Sequence, residues 1–221
     1  MTEPEFIIGI DLGTTNTIVA YTKASVEKGE SPDIRVLDIP QLVAPNTIEN
    51  RPILPSFLYL PASAESASGV FTLPWTAQHF PVIGEYARTR GAEVPQRVIA
   101  SSKSWLCNTS MDRNDPILPW EAPSDVTKMS PVQASAAILS YIREAWNYEM
   151  AASNESFQME HQDIFLTVPA SFDAVARELT VKAAASAGLH RVTLLEEPQA
   201  AFYAWIDSAG DAWRKAVYKG N

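Results

Sequence analysis

The stretch FIIGIDLGTTNTIVAYTK, residues 6–23, opens on an apolar run that reaches Asp11, breaks into Leu-Gly-Thr-Thr-Asn, and turns apolar again from Ile18. β-Branched residues flanking a glycine and small polar residues predict two strands joined by a tight turn. A turn needs only the glycine; the carboxylate of Asp11 and the hydroxyls of Thr14 and Thr15 ask for a chemical reason. Successive N–H groups of a turn form a concave anion site, to which the two hydroxyls add donors. Gly13 lets a ligand approach the backbone with no side chain in the way. Asp11 would repel a bare phosphate, so the combination points to a phosphate carried with a cation, most naturally magnesium with its waters. The competing reading is a hairpin turn whose Asp and Thr satisfy local hydrogen bonds. Six residues alone do not separate the two.

The 221-residue chain is long enough for one large domain or two small ones with a proper core. Its 17 basic and 26 acidic residues leave a net charge of −9, with no clustered basic face, which argues against a nucleic-acid binder. The single cysteine, Cys107, excludes an internal disulfide framework and fits a reducing compartment. A lone cysteine is ordinarily a small buried hydrophobe, and Trp105, Trp120, Trp146, Trp205 and Trp213 are expected to pack in or beside the core. The opening MTEPEF has neither the basic region nor the apolar core of a signal peptide. No apolar run approaches the ~20 residues that cross a bilayer. His79, His161 and His190 are too scattered for a metal cluster. A soluble cytoplasmic protein without nucleic-acid or membrane partners is expected.

Further along, Ile34 to Ile39 predicts a third strand. Residues 40–123 change texture, rich in proline, alanine and serine, and PASAESASG around Ser63 reads as a loop. At Ser130, SPVQ is a helix start with a capping box closed by Gln133 and proline at the first helical position. Val132, Ala136, Leu139, Ile142 and Trp146 then follow at helical spacing. DIFLTV (163–168) predicts a strand, Asp173 a helix start, Leu179, Ala183 and Ala187 its apolar stripe, and Gly188 its end. VTLLEE (192–197) predicts another strand, and Gln199 to Ile206 a final helix. The order β-β-β, insertion, α-β-α-β-α implies a mixed sheet with flanking helices. Ligands of such sheets gather at strand carboxyl ends, where Asp11, Pro169 and Glu197 fall. A phosphate nest with two acids suits phosphoryl transfer. Neither GxxxxGK[ST] nor GxSxG occurs, which disfavours a P-loop ATPase and a serine hydrolase.

Three segments in this spacing, IIGIDLGTTNT, LTVPASFDAVARELTVKAAASAGL and LLEEPQAAFYAW, strongly resemble the 70-kilodalton heat-shock chaperones. Those are actin-like ATPases with a ribonuclease H-like core. The resemblance covers roughly residues 5–23 and 130–206. It is weaker between them, where LPSFLYL, FPVIGEYARTRG and VIASSKSWL look like the family's strand, loop and lysine segments. It implies an α/β ribonuclease H-like mixed sheet with an inserted smaller subdomain: residues 1–45 and 118–221 as the core of one lobe of the ATPase domain, and 46–117 as the insertion carrying Lys103. It further implies that Asp11 holds magnesium through water and that Gly13, Thr14, Thr15 and Asn16 contact the phosphates of ATP or ADP. Lys103 resembles the lysine that orients the attacking water, although a lysine taken alone is ordinarily a solvated surface residue. Glu197 resembles the acid that completes the magnesium and water network, although alone it reads as a first-turn helix acid favoured by the dipole. Pro169 and Arg177 resemble a pair coupling nucleotide state to a peptide-binding domain.

The chain departs from the family in several places. Glu196-Glu197-Pro198-Gln199 stands where Asn-Glu-Pro-Thr or -Ser is usual, Ser104 and Trp105 follow Lys103 where a basic residue is usual, and the stretch before Lys103 is longer. These fit a divergent bacterial member. No DxGGGT-like second phosphate loop, interdomain linker or peptide-gripping β-sandwich is found, so the chain is expected to be about half of an ATPase domain, inactive alone. Its exposed cleft face is then a candidate for self-association. Unfolded polypeptide, a J-domain co-chaperone and a nucleotide exchange factor are the implied partners of a parent protein. Half of a sugar kinase, or a scaffold that does not hydrolyse nucleotide, are the alternative readings.

Overall fold

The computed structural model describes residues 3–25, 31–76 and 81–216; His79, Phe80 and the closing Tyr218-Lys219-Gly220-Asn221 lie outside the described residues. In chain order the strands are β1 (Phe6–Leu12), β2 (Asn16–Lys23), β3 (Arg35–Val36), β4 (Ile39–Ala44), β5 (Thr47–Arg51), β6 (Leu54–Pro55), β7 (Leu58–Tyr59), β8 (Val82–Ile83), β9 (Val98–Ile99), β10 (Asp163–Val168) and β11 (Val192–Glu196). The helices are α1 (Ser63–Ser66), α2 (Glu85–Glu93), α3 (Ser102–Trp105), α4 (Pro131–Met150), α5 (Ala174–Ser186) and α6 (Glu197–Ala209).

The principal sheet runs β11-β10-β1-β2-β3, with β6 also paired to β2. β1, β10 and β11 are parallel, while β2 and β3 are antiparallel to their neighbours. This is the ribonuclease H-like mixed sheet expected of the sequence. Alternation divides each strand. Phe6, Ile8, Ile10 and Leu12 of β1 and Ile164, Leu166 and Val168 of β10 face a core closed by α4 and α5, while Ile7, Gly9, Asp11, Phe165 and Thr167 face the other way. Phe6, Tyr21 and Trp146 meet edge to face at centroid distances of 5.1–6.0 Å, and the Trp146 indole donates to the Phe157 carbonyl at 2.7 Å.

Local signals account for the long elements. Ser130 accepts from the Gln133 N–H and Gln133 accepts in return from the Ser130 N–H, the reciprocal pair predicted for α4. Its buried face is wider than the predicted stripe. Ala134, Ser135, Ile138, Tyr141 and Ala145 join Val132, Leu139, Ile142 and Trp146, whereas Ala136 is only partly covered. Asp173 accepts from the Ala176 N–H at 2.7 Å, and Gly188 ends α5 at φ 83°. The buried amide of Gln162 accepts from the Glu5 and Phe6 N–H groups and donates to the Ser156 and Gln158 carbonyls, which moors the start of β1 beside that of β10.

Five expectations are overturned. The third strand shrinks to Arg35–Val36. Leu37 donates to the Val19 carbonyl and buries its side chain, and Ile39 opens a separate hairpin, β4–β5. The PASAESASG segment contains a helical turn because Glu65 accepts from the Ala62 N–H and the Tyr59 hydroxyl and pairs with Arg90. Burial pushes the Glu65 carboxyl up, but those two donors and the Arg90 charge outweigh it and hold it low. Helix α6 starts at Glu197, two residues before the predicted start. Cys107 is exposed, since Leu106 takes the buried position, and Trp120 and Trp205 are also exposed although Trp146 is wholly buried.

Residues 54–106 build a second layer: a three-stranded sheet, β8-β7-β9, with α2 on it. Buried Thr17 and Ser56 share a hydroxyl hydrogen bond of 2.9 Å, and the Ser56 N–H donates to the Thr15 carbonyl. Arg113 grips Asp173 through both terminal guanidinium nitrogens, each at 3.1 Å. The Ser56 contacts fix the segment against the first hairpin, and Arg113 ties the chain that follows it to the start of α5.

Candidate functional site

The β1–β2 turn is built by its own backbone. The Gly13 N–H donates to the Asp11 carbonyl at 3.1 Å, and a Cβ at Gly13 would lie 2.2 Å from the Asn16 carbonyl oxygen, so glycine is required for the turn itself. Thr14, Thr15 and Asn16 are exposed, and among the described residues their side chains have no hydrogen-bond partner. Nor is the Asp11 carboxylate spent on the turn. It accepts from the Thr167 hydroxyl at 2.8 Å, reached across the parallel pairing of β1 with β10. The polar atoms that a plain hairpin would use for local hydrogen bonds are thus left facing outward.

Lys103 is the larger surprise. Its side chain is only 6% exposed, against the ordinary solvated lysine. The chain bends through a left-handed residue, Ser101 at φ 59°, into the short turn α3, and the Lys103 ammonium donates to the Glu197 carboxylate at 2.6 Å. Glu197 is the first residue of α6, directly after β11, and its side chain is 44% exposed. The ion pair therefore joins the inserted layer to the carboxyl end of the main sheet.

The departure at Glu196 is also accommodated. Its carboxylate accepts from Arg177 of α5 at 2.7 Å, and its N–H donates to the Gln199 side chain at 3.4 Å, so the two unusual residues form the cap of α6 with Arg177 balancing the added charge. Arg177 also donates to the Phe172 carbonyl, and the Phe172 N–H donates to the carbonyl of half-buried Pro169. Along one edge of the sheet, bonded contacts thus link Asp11 to Thr167, Pro169 to Arg177 through Phe172, Arg177 to Glu196, and Glu197 to Lys103. Sequence reasoning missed Thr167 and Arg113. Thr167 had a signal, since alternation along DIFLTV places it on the face opposite the core and two residues before Pro169.

Among the described residues no group of three His, Cys, Asp or Glu side chains comes together to hold a metal. Asp11 and Glu197 alone suit a hydrated magnesium ion that brings its own phosphate oxygens, the mode in which one or two carboxylates suffice. Exposed Thr14 and Thr15 hydroxyls beside Asp11 are compatible with that donor set. No helix among the described residues is long and apolar enough to cross a membrane.

The family model described as Hsp70 protein matches residues 80–211. The chain is 28% identical over 216 residues to the chaperone protein HscA of Enterobacter sp. (strain 638), covering 96% of this chain and 30% of the relative. It is 28% identical over 227 residues to the HscA homolog of Tolumonas auensis, covering 98% and 30%, and 31% identical over 222 residues to that of Ralstonia pickettii (strain 12J), covering 96% and 30%. The chain thus spans less than a third of the length of these relatives. Taken with a match over more than half the chain and the ribonuclease H-like sheet, this settles kinship: the chain belongs to the Hsp70 family.

Proposed function

We propose that this chain forms one lobe of an ATP-binding and ATP-hydrolysing domain, and that its site is half of a nucleotide clamp. The observation that carries this reading is the buried Lys103 ammonium delivered to Glu197 at the sheet edge where Asp11 and the β1–β2 turn emerge. A buried lysine paired with an acid at a strand terminus has no packing purpose that an apolar residue would not serve better. In this reading Gly13, Thr14, Thr15 and Asn16 hold the phosphates through N–H and O–H donors, and Asp11, steadied by Thr167, holds magnesium through water. When bound, magnesium neutralises charge on the phosphates. Lys103, oriented by Glu197, hydrogen-bonds the attacking water and fixes its line of approach. Pro169 and Arg177 pass the state of the site to the rest of a parent protein.

Hydrolysis needs groups that surround the phosphates and exclude water, and this edge is open on one side. The chain alone is therefore inactive in this reading. Residues 46–117 act as an inserted subdomain on a core of 1–45 and 118–221, although residues 45 and 46 lie within the β4–β5 hairpin turn. The names of the relatives support a parent that is a chaperone; a cytoplasmic setting, unfolded polypeptide clients, a J-domain partner and an exchange factor are what the family resemblance adds to that reading. Calorimetric titration of the 221-residue chain with magnesium-ADP is expected to give no saturable heat in the micromolar range. A longer protein carrying this chain is expected to hydrolyse ATP and to lose at least ~10²-fold on Lys103→Ala. Equal turnover with and without Lys103 would overturn the reading.

A further inference from the structure

Two consecutive carboxylates at the end of β11 are each claimed by a different cation. The Lys103 ammonium donates to Glu197 at 2.6 Å, and the Arg177 guanidinium donates to Glu196 at 2.7 Å. The settings differ. The Lys103 side chain is buried, whereas Arg177 and Glu196 are about a third exposed (31% and 34%), so their pair adds little to stability. Glu196 follows Val192 and Leu194 at alternate positions on the core side of the sheet, where α5 carries Arg177. Glu197 opens α6 and reaches across to α3, and α3 packs on α4, which closes the same core beside α5. Lys103 thus enters from the side on which Glu196 stands, and carboxylates on adjacent residues face one buried ammonium.

We propose that Arg177 is a positioning residue for the candidate site: by claiming Glu196 it leaves Lys103 to Glu197 alone. The inference rests on the reading of Lys103 and Glu197 as the working pair of that site. Arg177 suits the task because a second acceptor holds it in place. Its Nε donates to the Phe172 carbonyl at 3.2 Å while Nη2 serves Glu196, and a planar guanidinium fixed in this way loses little freedom on making the second bond. Without Arg177 the Glu196 carboxylate loses its cation beside a like charge, which both groups resist. Lys103 is the cation at hand, and an ammonium on a flexible stem is a point charge that serves either carboxylate. It would then divide its time between Glu196 and Glu197, and neither Lys103 nor Glu197 would keep a single place. An amide at position 196 offers no such competition. Arg177 therefore matters to Lys103 only while residue 196 is a carboxylate.

Heteronuclear NMR of the 221-residue chain made with nitrogen-labelled lysine tests this at the ammonium itself. A buried, paired ammonium exchanges its protons with water slowly enough to be observed, and Lys103→Met identifies the signal by removing it. The signal is expected in the unaltered chain and in Glu196→Gln. In Arg177→Gln its exchange with water is expected to be at least about tenfold faster, and the double variant Arg177→Gln/Glu196→Gln is expected to return to the original rate. Far-UV circular dichroism checks that each variant is folded, and Arg177→Met serves in both roles if Arg177→Gln does not fold. An unchanged rate in Arg177→Gln overturns the proposal. Fast exchange that persists in the double variant overturns it as well, since Arg177 then acts as a mere support through Phe172, and so does an unaltered chain with no Lys103 signal. Nucleotide does not enter the measurement. The nucleotide reading fails separately, if turnover by a longer protein is indifferent to Lys103.

Discussion

At Lys103 and Glu197 the two halves of one ion pair differ in burial, 6% against 44% exposed, and their removal is expected to differ accordingly. Glu197→Ala strands a buried ammonium and costs about 2 kcal/mol or more, whereas Lys103→Met leaves a carboxylate that water can reach and costs about 1 kcal/mol or less. Urea unfolding of the two variants checks the order. Asp173 supplies a pH dependence. The Arg113 guanidinium, then the Ala176 N–H, holds its carboxyl below the usual carboxylate range. A depressed folded-state value contributes stability that is fully present above the unfolded value of about 3.9 and lost as pH falls through the folded one. The destabilisation caused by Asp173→Ala at pH 7 is therefore expected to shrink steadily below pH ~4, and thermal melts across that range measure it.

Among elements, helix ends and strand starts carry identifiable costs. Ser130→Ala removes the α4 cap and is expected to cost about 1 kcal/mol. Gly188→Ala forces φ 83° on a residue with a Cβ and sets that atom 2.6 Å from an Arg143 nitrogen, which must abandon its bond to the Ala187 carbonyl. About 1–2 kcal/mol of strain is expected, read as a lower urea midpoint. Gln162→Leu leaves the Glu5 and Phe6 N–H groups without their acceptor and is expected to cost about 2–3 kcal/mol. Hydrogen exchange should show the loss as faster exchange at the start of β1, with the β10–β11 pairing less affected.

On the scale of the molecule, the inserted segment and the rest of the fold are joined by polar ties: Thr17 with Ser56, Arg113 with Asp173, and Lys103 with Glu197. The apolar core, in contrast, is concentrated between the sheet and α4–α5. Trp146→Ala, which opens a large hole there and abandons the Phe157 carbonyl, is expected to cost about 3–5 kcal/mol and lower the midpoint of the whole transition. Asp11 and Thr167 lie on the opposite face of the sheet, so those two residues of the candidate site stand on the side away from that core.

By itself the sequence determined what depends on near neighbours. The two strands and tight turn in residues 6–23, the Ser130–Gln133 box, the Asp173 cap and the Gly188 stop each rest on near neighbours in sequence, and each stands in the structure as read. The mixed sheet followed from those elements and from a family resemblance carried by three motifs, while the order of its strands did not. Tertiary structure alone decided what depends on distant register. Asp11 meets Thr167 across 156 positions and Lys103 meets Glu197 across 94, contacts set by how β1, β10 and β11 align rather than by any local pattern. The same holds for the burial of Lys103, the clipping of the third strand by Leu37, the Glu65 turn and the exposure of Cys107. For Lys103 and Leu37 the partner lies in another part of the fold and for Glu65 it includes Arg90, 25 positions away, and the free energy of such pairings overrode the local preference.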